Sequence, residues 1–160
     1  MIIPRLHINN SRRFWQWLNI VWNRVDEDRI AAVGPDRACA EWLMRNGAYV
    51  KWTGAAEYLT DYNALPPEGM TRHIEEIDAT ESSIMHYGFK HFYGCKHIKK
   101  FFGNLQIISC GNITDEGIKS LKILSKLRTL LIANLPYLKN KEDCLLTLKS
   151  SLPSCEIEIN

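Results

Sequence analysis

An apolar-x-x-apolar-x-apolar pattern returns four times in the second half of the chain, and it leaves little freedom in the fold. One copy is Ile74, Ile77 and Ala79. The next is Phe102, Leu105 and Ile107, followed by Cys110 and Ile113. A third is Leu127, Leu130 and Ile132, followed by Leu135 and Leu138, and the last is Leu152, Cys155 and Ile157. The central positions 77, 105, 130 and 155 lie 28, 25 and 25 residues apart. A period of roughly 20–29 residues with this pattern is the leucine-rich-repeat signature. One strand-plus-helix unit cannot bury its apolar side alone, so neighbours must stack into a parallel sheet with helices outside. The fold class expected is therefore α/β: a short leucine-rich-repeat solenoid over residues 74–160, with parallel strands and outer helices. In this register the concave face carries Glu76, Asn104, Thr129 and Ser154, then Asp78, Gln106, Leu131 and Glu156, then Thr80, Ile108, Ala133 and Glu158. That face is acidic at its ends and apolar in its middle, which suits a protein partner better than a polyanion.

Residues 14–73 read as an N-terminal helical cap domain. A first helix is expected from about Ser11 to about Val25, because Phe14, Trp17, Leu18, Val21, Trp22 and Val25 recur at helical spacing. Arg12, Gln16, Asn19 and Asn23 fall on the opposite face. An aromatic stripe of this kind usually covers a core; the alternative is an amphipathic helix lying on a membrane or a partner. A second helix is expected from Pro35, with Asp36 in its first turn, Ala38, Trp42 and Leu43 inward, and Gly47 just past its end. Val50-Lys51-Trp52 reads as a short strand, and Asp61-Tyr62-Asn63 with Pro66 and Pro67 as a loop. Thr114-Asp115 starts a helix whose Ile118 and Leu121 face inward. Residues 1–13 read as a presequence remnant or a disordered start: the first 25 residues contain no acid but carry Arg5, Arg12, Arg13 and Arg24, as transit peptides do.

The 160 residues carry a net charge of +2, too balanced to argue for nucleic acid. No apolar run is long enough to cross a bilayer, so any membrane association is expected to be peripheral. Five cysteines, at 39, 95, 110, 144 and 155, form no CxxC or CxC pair and read as reduced, mostly buried thiols. His86, His91 and His97 are spaced by five and six, which does not place them on one helical face for a metal. They read as surface or interhelix residues. The P-loop, GxGxxG, nucleophile-elbow and HExxH motifs are absent, and no enzymatic role is expected.

Several segments resemble the mitochondrial ATP synthase coupling factor B (subunit s) family. They are FWQWLNIVWNRVDEDRI (14–30), VGPDRACAEWLMRNGA (33–48), DYNALP (61–66), IDATESSIMHYGF (77–89), IISCGNITDEGI (107–118) and SLPSCEIEI (151–159). The resemblance implies a peripheral, matrix-side protein of the inner mitochondrial membrane. It implies association with the membrane sector (Fo) of ATP synthase and support of coupling by limiting proton leak. It also implies a magnesium ion at the junction of cap and repeats, at Gly47 and Thr80. Two departures stand out. The family's CxC dithiol repeat has no counterpart, since Lys99-Lys100-Phe101 runs almost directly into Leu105. Asn46 and Ser83 stand where the family often has cysteines. Two other readings of the fold are a ubiquitin-ligase-type repeat adaptor and a respiratory-complex assembly factor, a distant relative of the family serving complex I.

Overall fold

The computed structural model describes residue 14 and residues 17–104, 114–133 and 138–160. Residues 17–22 are helical (α1). They are followed by α2 (Glu27–Val33), α3 (Pro35–Arg45), α4 (Asp115–Ser120) and α5 (Lys141–Ser151). The strands are β1 (Tyr49–Trp52), β2 (Ile74–Asp78), β3 (Lys100–Asn104), β4 (Thr129–Ala133) and β5 (Glu156–Ile159). Short 3-10 turns cover Tyr62–Ala64, His86–Phe92 and Leu121–Ile123.

Local signals explain the helix ends. The Asp26 carboxylate accepts the Arg29 N–H at 2.8 Å, with Glu27 and Asp28 in the favourable first turn of α2. Gly34, at φ +84°, ends α2, and Pro35 opens α3 beside it. Gly47, at φ +83°, releases the chain from α3 into β1. The Thr114 hydroxyl caps α4 through the Gly117 N–H, and Asn140 caps α5 through the Asp143 N–H. Helix α2 was not expected, although Asp26, its acidic first turn and Gly34 together are a start-and-stop signal.

The five strands form one sheet in chain order, β1-β2-β3-β4-β5. β1 pairs antiparallel with β2, and the remaining pairs are parallel. The chain is thus mixed α/β with a mostly parallel sheet. Its apolar core is continuous from Cys39 in α3 to Ile159 in β5. Ile74, Ile77, Ala79, Leu127, Leu130, Ile132 and Leu152 are buried as expected, as are Ala38, Trp42, Leu43, Ile118 and Leu121. Among the described cysteines, Cys39, Cys95 and Cys144 are buried, Cys155 is half-buried, and all four are free thiols.

The strand register differs from the expected one at two places. Ile77 lies beside Phe101, Phe101 beside Leu130, and Leu130 beside Ile157. The spacings are therefore 24, 29 and 27. The second copy enters the sheet four residues early because the Lys99 N–H donates to the Glu75 carbonyl at 2.7 Å, leaving Lys100 to begin the strand. The last enters two residues late because the Cys155 N–H closes a turn onto Leu152 after α5. Both shifts are even, so the inward and outward alternation survives. Leu105, Gln106, Ile107, Ile108, Cys110, Ile113 and Leu135 lie outside the described residues, as do residues 1–13.

The first helix corrects the expectation of an aromatic stripe over a core. Phe14 and Trp17 are 54% and 57% exposed, and Ile20 and Trp22 are exposed as well. Asn23, expected on the polar face, is completely buried. The segment docks through a polar anchor and turns its aromatic side outward.

Candidate functional site

Asn23 sits where α1, α3 and the 83–85 segment meet. Its Nδ2 donates to the Asn19 carbonyl at 2.9 Å, and to Asn46 Oδ1 and the Ser83 carbonyl at 3.1 Å each. Its Oδ1 accepts the Met85 N–H at 2.7 Å and Trp42 Nε1–H at 3.2 Å. Asn46 extends the network, donating to the Trp22 and Trp42 carbonyls at 3.3 and 2.8 Å. One buried amide therefore joins three segments and satisfies an indole, which an apolar residue there could not do.

The Trp42 ring is enclosed on its other sides. His91 stacks on it at 5.0 Å between centroids, Phe92 meets it edge-on at 5.4 Å, and Gly88 lies against its indole edge. Burial lowers the His91 pKa, against the opposing pull of its contact with the Arg24 carbonyl at 3.2 Å. A histidine held neutral by burial contributes stability that is present above its ordinary range, near pH 6.5, and lost as pH falls. The melting temperature is expected to fall between pH 7 and pH 5. His91→Phe, which keeps the stack but cannot titrate, should flatten that slope; calorimetry showing equal slopes would remove His91 as the cause.

Glu41 anchors the outer side of α3. Arg29 grips both of its oxygens at 2.7 and 2.9 Å, Arg37 adds a bond at 2.7 Å, and Arg29 also reaches Glu68 at 2.6 Å. Burial alone would raise the Glu41 pKa, but the two guanidiniums outweigh it and the net shift is downward. On the sheet, Glu76 accepts from Tyr58 Oη at 2.9 Å and pairs with Lys100 at 3.0 Å. Burial and the Glu76 carboxylate together push the Tyr58 phenol well above its ordinary range. Glu76, one of the acids expected at the start of the concave face, is thus paired, because the true register sets Lys100, and not Asn104, beside it.

Gly47 and Thr80 lie on two turns that the structure brings together. The Ser83 N–H donates to the Asn46 carbonyl at 2.9 Å, and a Cβ on Gly47 would sit 3.9 Å from the Ser82 Cα. Thr80 is exposed, and its N–H donates to an Asp78 carboxylate oxygen at 2.9 Å. The donors to hand are neutral oxygens plus what remains of Asp78. Among the described residues no cluster of three or more His, Cys, Asp or Glu side chains could hold a metal. Magnesium prefers carboxylate oxygens and gives up its waters reluctantly, so this donor set fits only a loosely held, largely hydrated ion. Sequence reasoning missed Asn23, whose polar type on a helix otherwise rich in aromatics was the available signal. It also missed the Gly88 contact, which sequence does not show.

No family model matches the chain. Curated relatives do match. The human protein named ATP synthase subunit s, mitochondrial, is 43% identical over 94% of this chain and 88% of its own length. The proteins of the same name from mouse and cattle are 39% and 41% identical over the same shares. The human match runs over 176 residues, yet 94% of 160 residues is about 150. The shortfall of about 26 residues falls within the 24–29 residue spacing between neighbouring parallel strands. The ligase-adaptor alternative draws no support from these relatives. With such identity across nearly the whole chain, this protein belongs to the mitochondrial ATP synthase subunit s family.

Proposed function

We propose that the chain is a non-catalytic, peripheral accessory protein of mitochondrial ATP synthase. It sits on the matrix side of the inner membrane, contacts the membrane sector and limits proton leak through it. The outward aromatic side of α1 carries this reading. Phe14, Trp17, Ile20 and Trp22 are exposed beside Arg24, on a segment pinned to the body by Asn23. Aromatic and aliphatic side chains flanked by arginine are what an interfacial helix needs. No helix among the described residues is long and apolar enough to cross a membrane. The names of the relatives support the partner. Residues 14–73 form the cap and residues 74–160 a leucine-rich-repeat array from which about one unit is missing. The regular strand spacing supports that reading, since solenoids tolerate loss of a whole unit.

The test uses inner-membrane vesicles stripped of their native factor. The chain is expected to sediment with them, to be released by high salt or alkali, and to restore a proton-driven membrane potential. Trp17→Ser should weaken membrane binding about tenfold, the worth of one buried aromatic. A chain found wholly in the supernatant would overturn the proposal. In the same preparation, magnesium held by the Gly47 carbonyl and the Thr80 hydroxyl should raise the melting temperature of the parent chain but not of Thr80→Ala. An equal rise in both would remove that assignment.

A further inference from the structure

Helix α3 packs one side along the His86–Phe92 turn and the residues after it, and the contacts run in order. Pro35, Cys39 and Trp42 recur at i, i+4 and i+7, so they share that side of the helix. At one end Gly94 lies against Pro35: a Cβ there would sit 2.8 Å from the Pro35 Cβ. At the other end His91 stacks on Trp42 at 5.0 Å, and Gly88 meets the indole edge. Between these contacts, Cys39 on the helix faces Cys95 on the opposing segment, and the two thiols are in hydrogen-bonding contact. Both are buried and free. Cys144 and Cys155 are placed differently, since their thiols donate to the Asp115 and Glu156 carbonyls at 3.7 and 3.6 Å.

The two thiols are unequal. Cys95 hangs from a turn whose neighbours Tyr93, Gly94 and Lys96 are exposed, and its thiol donates to the His91 carbonyl at 3.5 Å. Cys39 belongs to the body of an 11-residue helix and is completely buried. Burial, then the contact with Cys95 and the charge of Asp36, push the Cys39 thiol well above its ordinary range. A local opening of the 93–96 turn therefore presents Cys95 first. Cys39 stays on its helix as a protonated thiol, which is a poor first nucleophile.

We propose that Cys39 and Cys95 form a reversible dithiol–disulfide couple which, once oxidised, locks α3 to the segment that holds α1. The oxidant is a low-molecular-weight disulfide, glutathione disulfide. The Cys95 sulfur attacks one of its sulfurs and breaks that S–S bond; one glutathione leaves and takes up the proton lost by Cys95. The Cys39 sulfur then attacks the Cys95 sulfur of the mixed disulfide, and the second glutathione leaves with the Cys39 proton. The pair gives up two electrons, and glutathione disulfide gains them. The bond joins positions 56 residues apart. It ties α3 to the stretch whose Met85 N–H and His91 ring meet Asn23 and the Arg24 carbonyl at the end of α1.

The experiment equilibrates the folded full chain in anaerobic glutathione buffers of stepped redox ratio. Free thiols are trapped by alkylation, and linked peptides are identified by mass spectrometry. A Cys39–Cys95 bond is expected to form as the buffer becomes oxidising and to disappear when it is made reducing again. The linked form should melt about 5–10 °C above the reduced one, the effect of closing a long loop. Cys155→Ala, outside the pair, should keep both effects. Cys95→Ser should lose both, and cooperative melting in the reducing buffer shows that its fold is kept. Free thiols or glutathione adducts at positions 39 and 95 in the most oxidising buffer overturn the proposal, as does a linked form that melts no higher than the reduced one.

Discussion

Asn23→Ala is expected to cost about 4 kcal/mol of unfolding free energy, because it strands two buried donors at once. The Trp42 Nε1–H and the Met85 N–H both lose their acceptor, and Asn46 and the Ser83 carbonyl lose a donor. Each orphaned buried group costs about 1–3 kcal/mol, and the network makes the losses mutually reinforcing. Asn19→Ala is the matched control. Only the backbone carbonyl of Asn19 takes part, so its change should stay within about 0.5 kcal/mol. Denaturant unfolding measures both, and limited proteolysis of residues 14–24 reports whether α1 has come away. An Asn23→Ala loss below about 1 kcal/mol would mean that water replaces the amide and that α1 is held by other contacts.

Gly88→Ala should cost about 3 kcal/mol through a different cause, overpacking. A Cβ at position 88 would fall 2.4 Å from Cε2 and Cζ2 of Trp42. The indole has no room to retreat, since His91 and Phe92 close on it and Nε1 is bonded to Asn23. At this chain length the loss corresponds to a fall of about 10 °C in melting temperature. Gly54→Ala separates crowding from backbone strain. Gly54 has φ +79° but open space around it, so it should lose only the roughly 1–2 kcal/mol of a left-handed residue. Equal losses at the two sites would show that the Trp42 contact yields easily.

The two predictions concern the parts of the molecule that sequence concealed. The strand pattern was legible because burial every second residue is a local property: Ile77 and Ala79, and Leu130 and Ile132, announce their side of the sheet themselves. Register was less legible, because it is set by pairing partners and by turns such as Leu152–Cys155, which consume residues that the pattern counts as strand. Parity survived and the partners changed, so Glu76 gained Lys100. For α1 the period was correct and the buried side was not. Hydrophobicity alone ranks Trp17 above Asn23 as a core residue, yet an amide that meets five polar partners is the better anchor. A Cβ on Gly47 would lie 3.9 Å from Ser82, two residues beyond Thr80, and the oxygens available around Thr80 could be judged only in three dimensions.

Strand order that equals chain order has a kinetic consequence. Every pairing in the sheet, from β1–β2 to β4–β5, joins consecutive strands separated by 21 to 24 residues, and no strand pairs across an intervening strand. Loop-closure cost rises only slowly with length, and folding rate tracks the mean separation of contacting residues. During synthesis the first strands can pair as soon as they leave the ribosome, and each later segment docks on an edge already formed. Such a chain folds progressively from its beginning, and its last strand is the one left waiting if translation stalls.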